Sequence, residues 1–307
     1  MTPDPEMHLR FVLLVFAGIL GAIMGSFLNA FIYRWPLRIS MWKRKRSFCP
    51  ACKHDLAWYD NIPILSYLML LGRCRYCKAR IHPRYLIVEV LTAGLFLLVF
   101  YQEAVLNYGT LSSWHAPYFS YPKIALHLAL VAALVGIAFV DCLVTRIPNE
   151  ITIPGVIIAP IVSVIWPELH AEMFRITGML RLDALLNSLA GILISGGLLW
   201  LLGLVGEAML KKPAMGFGDV KMMALVGGLL GFPTALLAIA FSAVLGAVVG
   251  AINLLVTGSH RIPFGPFLAI GTTFTMLWGP QMVYMYMAWV MGDAPPPPFH
   301  AVFFPHF

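Results

Sequence analysis

The chain has 307 residues, of which 60% are hydrophobic and only 11% are charged. A soluble domain carries about 25% charged residues, so this composition excludes an ordinary soluble protein and indicates a polytopic membrane protein. In a soluble protein the net charge of +7 would favour nucleic acid. Here the basic residues lie beside apolar segments, so we expect contact with membrane lipids and no nucleic-acid partner.

Apolar runs predict an all-α fold with about eight transmembrane helices, since a hydrocarbon core needs about 20 helical residues. The first run, 11–33, is longer than the apolar region of a signal peptide, so we expect it to be a retained helix. Residues 222–259 carry no charged side chain and are too many for one span, and Pro233 divides them. The predicted helices are 11–33, 85–106, 122–140, 151–167, 183–206, 218–231, 234–257 and 264–290.

The basic residues predict the orientation of these helices. Twelve Lys or Arg residues lie between positions 34 and 84, which makes that side cytoplasmic. With alternating spans, the cytoplasmic segments hold 17 of the 21 basic residues. Both termini, including an extended proline-rich tail at 294–300, are then expected outside. The basic run 43–46 is interpreted as attraction to anionic headgroups rather than to nucleic acid.

Two C-x-x-C pairs, at 49–52 and 74–77, lie in the predicted cytoplasmic loop, where thiols stay reduced. This spacing is typical of a tetrahedral structural zinc site, with a redox pair and unrelated cysteines as the alternatives. Because four thiolates complete the shell, His54 and His82 are interpreted as surface residues. Cys142 is interpreted as a small apolar residue. The predicted ligands are Cys49, Cys52, Cys74 and Cys77.

Two aspartates fall at the predicted cytoplasmic boundary. Asp141 ends the third helix and is followed by "IPN", whereas Asp219, within "GFGDVK", begins the sixth. If the two carboxylates meet, they share a proton; the ionised one can activate water and the protonated one can polarise a peptide carbonyl. Gly216 and Gly218 would let a substrate backbone come close. The alternatives are a helix cap, a charge at headgroup level, or an ion pathway, in which case the protein is a proton- or ion-coupled transporter.

The order of these motifs resembles the type IV prepilin leader peptidases, a family of GxGD-type aspartic membrane proteases. The resemblance covers residues 25 to about 265, with one departure at Leu86, where proline is expected. It indicates the full-length form, with an N-terminal domain at 1–121 and a peptidase domain at 122–307. The segments that carry it are "GSFLNAFIYRWP", "NIPILSYL", "GRCRYC", "RYLIVEVLTAGLF", "D…IPN" and "GFGD".

The resemblance implies an activity. Such enzymes remove the positively charged leader from type IV prepilins and type II secretion pseudopilins, at the cytoplasmic face of the bacterial inner membrane. They cut after glycine and usually before phenylalanine, and the catalytic pair maps onto Asp141 and Asp219. A presenilin-like protease would not explain the cysteine loop, and an inactive zinc-stabilised scaffold would not need the aspartates.

Many full-length members of the family then methylate the new N-terminus with S-adenosylmethionine. No glycine-rich nucleotide loop follows a strand in this sequence, so a site for the cofactor must be built from helices and the loop. The candidate residues are Asn29, Arg34 and Glu89, although helix packing or pairing explains each of them equally well.

Overall fold

The computed structural model describes residues 5–41, 46–106, 121–169, 177–211, 215–258 and 262–291. Within these ranges the chain is helical and has only two isolated β-bridges and no β-strand. Eight long helices lie where the apolar runs predict them, and a short helix in the cysteine loop is an addition. The helices are α1 (Pro5–Arg34), α2 (Leu65–Met69), α3 (Arg84–Phe100), α4 (Tyr121–Val144), α5 (Asn149–Ile165), α6 (Leu180–Leu210), α7 (Phe217–Leu230), α8 (Phe232–Thr257) and α9 (Gly265–Met291).

Five of these helices, α1, α3, α4, α6 and α8, are long and apolar enough to cross a membrane, and α5 is a shorter apolar helix. The prediction of an all-α, multi-pass membrane protein is confirmed. The orientation stays a prediction. Several residues on which it depends lie outside the described ranges: residues 43–45, Arg175, Lys212, Arg261 and the tail at 294–300.

The chain separates into two compact units, residues 1–136 and residues 137–307, and α4 contributes to both. In the first unit α1 packs along α3. A Cβ atom at Gly21 would lie 2.8 Å from the Cα of Ala93, and one at Gly25 would lie 2.7 Å from the Cα of Glu89. Only glycine permits this approach, so Gly21 and Gly25, four residues apart, form a small-xxx-small face of α1 that packs on α3. The predicted domain boundary between residues 121 and 122 stays a prediction.

At the far end of α3, in the same unit, the buried side chain of Glu103 lies in a cluster of ionisable groups. After Phe100 the helix widens into a π-turn at Tyr101–Leu106. The carboxylate of Glu103 in this turn lies 3.1 Å from Nζ of Lys123 and 3.0 Å from Nδ1 of His127, both in the first turns of α4. The pairing gives the buried glutamate the partners that a charge within an apolar segment requires.

In the second unit α7 lies at the centre, packed by α5, α6, α8 and α9. It has 14 residues and is therefore about 21 Å long, which is shorter than the ~30 Å hydrocarbon core of a bilayer. Most of α7 is buried, and a Cβ at Gly191 of α6 would lie only 2.0 Å from the carbonyl oxygen of Gly227. Protein, rather than lipid, surrounds this short helix.

The break between α7 and α8 has a local cause. Gly231 ends α7 with a φ of +81°, a value that glycine adopts at little cost. Pro233 then occupies the first turn of α8, where its missing N–H leaves no helical hydrogen bond unmade. The predicted division of the long apolar run is confirmed, within two residues of the expected bounds.

Candidate active site and metal-binding loop

The sequence predicts that Asp141 ends the helix. In the structure α4 continues to Val144, so Asp141 lies about one turn before the helix end. Its carbonyl accepts a hydrogen bond from the amide of Thr145, whose positive φ of 51° ends the helix. The carboxylate is buried, and its Oδ2 accepts a hydrogen bond of 3.0 Å from the amide of Gly265. A backbone N–H at the start of α9 therefore fixes this side chain in place.

Asp219 is the third residue of α7. Gly216 precedes the helix with an extended backbone, and its backbone N–H bonds the Asp219 carboxylate. This is the geometry of a capping side chain that reaches back over the first turn, so the helix-cap interpretation is correct as far as it goes. A cap does not require burial, however, and only 8% of Asp219 is exposed.

The structure brings the two aspartates together. Both are buried in the second unit, and Asp141 lies near enough for its charge to act on Asp219. Charge on one of these carboxylates disfavours charge on the other, so the arrangement is suited to two carboxyl groups that share one proton. The pair offers a base and an acid in one place.

The segments that carry the aspartates also touch at two further points. A Cβ at Gly218 would lie 2.8 Å from the Cβ of Ile147, so glycine allows the loop before α5 to approach α7. Nζ of Lys221 donates a hydrogen bond to Oδ1 of Asn149 and lies 5.5 Å from the centre of the Phe217 ring. The sequence motifs mark both segments but do not predict these contacts between them.

The four cysteines of the loop form one cluster in the first unit. Their sulfur atoms all lie within 4.8 Å of one another, close enough to hold a single metal ion. The metal-binding group found among the described residues is Cys49, Cys52, Cys74 and Cys77. Cys142 is exposed and is not in this group. His54 and His82 are exposed, as predicted, and also lie outside it.

The two cysteine pairs have the same backbone fold. The Cys49 amide donates to the carbonyl of His54, and the Cys49 carbonyl accepts from the amide of Lys53. Residues 74–79 repeat both bonds, and Lys53 and Lys78 share a φ near 60°. Burial raises the pKa of Cys49, but hydrogen bonds from the backbone of Cys52 and neighbouring residues outweigh it and lower the pKa to about 7. Such a thiol is ready to ionise as a metal ligand.

A cavity of about 390 Å³ lies between α1, α3 and the cysteine loop, and it contains all three candidate cofactor residues in its lining. Asn29 donates to the carbonyl of Tyr85 at 2.8 Å, while its buried Oδ1 has no hydrogen-bond partner. The guanidinium of Arg34 donates to the carbonyl of Arg46 at 2.9 Å. Glu89 accepts a hydrogen bond of 2.7 Å from the amide of Ile64.

Comparison with known proteins matches two stretches of the chain to two family models. Residues 19–103 match the Bacterial Peptidase A24 N-terminal domain, and residues 128–251 match the Type IV leader peptidase family. The protein from Pseudomonas aeruginosa called prepilin leader peptidase/N-methyltransferase is 32% identical over 88% of this chain and 91% of its own length. The chain belongs to the prepilin leader peptidase family.

Other members of the family are similar over comparable lengths. The prepilin leader peptidase/N-methyltransferase of Aeromonas salmonicida is 30% identical over 88% of this chain and 92% of its own length. The protein of the same description from Legionella pneumophila is 31% identical over 89% of this chain and 94% of its own length. No solved structure matches the chain significantly. The matches to the family models and to these relatives confirm the resemblance seen in the sequence motifs.

Proposed function

We propose that this protein is a membrane aspartic endopeptidase that removes the leader peptide from type IV prepilins and type II secretion pseudopilins. The observation that carries the proposal is the buried pair of carboxylates, Asp141 and Asp219, in a chain that belongs to the leader peptidase family. The cut falls after glycine and before phenylalanine. A transporter is not supported, because the matched relatives are peptidases by name and the two acids adjoin helix ends.

The chemistry needs no covalent intermediate. The ionised carboxylate takes a proton from water as the water oxygen attacks the peptide carbonyl carbon, and the protonated carboxyl donates its proton to the carbonyl oxygen. The resulting tetrahedral intermediate collapses when its hydroxyl proton returns to one carboxylate and the other carboxyl protonates the leaving amine. The C–N bond then breaks, and the aspartate pair again holds one proton.

The backbone beside Asp219 suits an extended peptide substrate. Gly216 presents backbone without a side chain beside the Asp219 carboxylate, where a main-chain segment of the substrate could approach, whereas Ile147 fills the space beside Gly218. The hydrogen bond from Lys221 to Asn149 links the first turns of α7 and α5 close to Asp219 and so helps to fix the position of one helix against the other.

We further propose that the cavity of the first unit binds S-adenosylmethionine, which supplies the methyl group for the new N-terminal amine. The lining fits such a ligand. Asn29 offers an unpartnered buried carbonyl oxygen as an acceptor, Glu89 offers negative charge to a cationic sulfonium, and Arg34 offers positive charge to a carboxylate. The word N-methyltransferase in the relatives' descriptions supports this assignment.

The cysteine cluster is proposed to hold one structural zinc ion. Its four thiolates satisfy a tetrahedral zinc and leave no position for substrate, so the metal would fold the loop rather than take part in either reaction. Cys49 and Cys74 also line the cavity, so the metal would brace one of its walls.

The proposed location is the bacterial inner membrane, with the aspartates and the cysteine loop at the cytoplasmic face and the N-terminal part, residues 1–121, responsible for methylation. The experiment that tests the function is mass spectrometry of the N-terminus of a prepilin co-expressed with this protein. It reports leader removal and methylation together. A prepilin that keeps its leader, beside well-inserted enzyme, would contradict the proposal.

A further inference from the structure

Ile64 has a backbone conformation that a β-branched residue rarely adopts. Its φ is +64° and its ψ is −54°. The amide of Leu65 donates to the carbonyl of Pro63 at 2.6 Å, which closes a three-residue γ-turn around Ile64. A turn of this hand is strained for isoleucine and persists only where the surrounding structure holds it.

Glu89 stabilises the conformation of this turn. The amide of Ile64 donates to Oε2 of Glu89 at 2.7 Å. Glu89 lies buried on α3, and its carboxylate also interacts with the side chains of Ser26 and Asn29 on α1. Hydrogen bonds to a buried carboxylate are among the stronger ones in proteins, so one side chain anchors the turn to two membrane helices.

The residues that flank the anchored turn form part of the wall of the proposed donor cavity. Asn61 and Ile62 before the turn, and Ser66 after it, line the same cavity as Asn29 and Glu89. If Ile64 relaxed to a negative φ, the chain on either side would change direction and this wall would move. The strain at Ile64 is thus coupled to the shape of the cavity.

We propose that Glu89 and Ile64 are a positioning pair: Glu89 holds the strained turn, and the turn sets the shape of the cavity that receives the methyl donor. The inference rests on the proposed binding of S-adenosylmethionine in this cavity. It gives Glu89 a role besides its charge, since its Oε2 is engaged by the backbone of the loop.

Three substitutions separate the effect of the Glu89 charge from the effect of its hydrogen bond to the Ile64 amide. Glu89→Gln keeps an oxygen that can accept from the Ile64 amide but loses the charge, whereas Glu89→Ala loses both. Ile64→Gly lets the turn keep its positive φ without strain, so the turn no longer depends on an anchor. Leu71→Gly is the matched control, because Leu71 also has a positive φ of 50°, but its amide donates to the carbonyl of Leu68 rather than to Glu89.

The experiment measures S-adenosylmethionine binding to the purified full-length protein by calorimetry, and amide exchange in residues 61–68 by mass spectrometry. We expect Glu89→Ala to bind about tenfold more weakly than Glu89→Gln, because the turn relaxes. Adding Ile64→Gly to Glu89→Ala should restore the affinity of Glu89→Gln, and adding Leu71→Gly should not. The Ile64 amide should exchange faster in Glu89→Ala than in the wild type. Zinc content reports whether the loop is folded in each variant.

The possible failures are distinguishable. Wild-type protein that binds no S-adenosylmethionine overturns the proposed cofactor and this inference with it. Wild-type binding, with Glu89→Ala and Glu89→Gln equally weak and neither improved by Ile64→Gly, overturns the positioning role alone. Unchanged exchange of the Ile64 amide in Glu89→Ala also contradicts it.

Discussion

The backbone amide of Gly265 donates a hydrogen bond of 3.0 Å to Oδ2 of Asp141, across 124 residues of sequence. Gly265 is the first residue of α9, where backbone N–H groups and the helix dipole favour negative charge. A Cβ on Gly265 would lie 2.6 Å from the same oxygen. The end of α4 and the start of α9 therefore fix the position of this carboxylate together.

Replacing Gly265 by alanine should impair cleavage. The added methyl group would displace the Asp141 carboxylate, and a displacement of about 1 Å at a reacting group can cost about a hundredfold in rate. The measurement is kcat/KM for a purified prepilin in detergent. Gly250→Ala is the matched control and should cleave normally, because among the described residues a Cβ at Gly250 would meet nothing within 4 Å beyond its chain neighbours and its own helix backbone. Equal rates for the two variants would show that Gly265 does not position Asp141.

Purified protein should contain one zinc ion per chain. Serine in place of Cys49 or Cys74 should lower the zinc content and make the loop more sensitive to proteolysis, because three thiolates hold the ion less tightly than four. Cys142→Ser should change neither, since Cys142 is not in the cluster. Elemental analysis after purification without chelators is the measurement. Intact thiols without zinc would speak against a zinc site.

Glu89→Gln should separate the two proposed activities. It removes negative charge from the cavity while leaving the aspartate pair unchanged, so methylation should fall and most cleavage should remain. The converse is not expected in cells, because the amine to be methylated exists only after the cut. The measurement is the mass of the mature pilin N-terminus. Glu103→Gln is a control at a buried glutamate that does not line the cavity. A fully methylated product from Glu89→Gln would remove the Glu89 charge from the methylation site.

The positions of the helices could be predicted from the sequence for a physical reason. In lipid, a spanning segment must satisfy its backbone hydrogen bonds internally, so an apolar run of sufficient length has to be helical. The break at Pro233 followed from its missing N–H. The cysteine cluster was equally predictable, because two C-x-x-C pairs at this spacing are typical of a four-cysteine metal site.

The contacts between distant segments could not be predicted in the same way. The hydrogen bond from Gly265 to Asp141 depends on where α9 begins, and a glycine at that position carries no signal of its own in a glycine-rich chain. The turn at Ile64 contradicts the preferences of isoleucine, and its amide is held by a hydrogen bond to Glu89, which lies far away in the sequence. Local propensity fails at such positions because tertiary contacts decide them.

The central claim is that Asp141 and Asp219 together cut the leader from a prepilin, and the most direct test is the mass of the prepilin N-terminus after co-expression with Asp141→Asn or Asp219→Asn. Asparagine keeps the size of the side chain but cannot act as base or acid, so each variant should lose cleavage by a factor of at least about a hundred. Asp183→Asn, at a buried aspartate that accepts from Thr177, is the control and should cleave normally. The account predicts uncut prepilin with both variants of the pair and mature pilin with the wild type and the control. Normal cleavage by either variant, present in the membrane at the wild-type level, would contradict it.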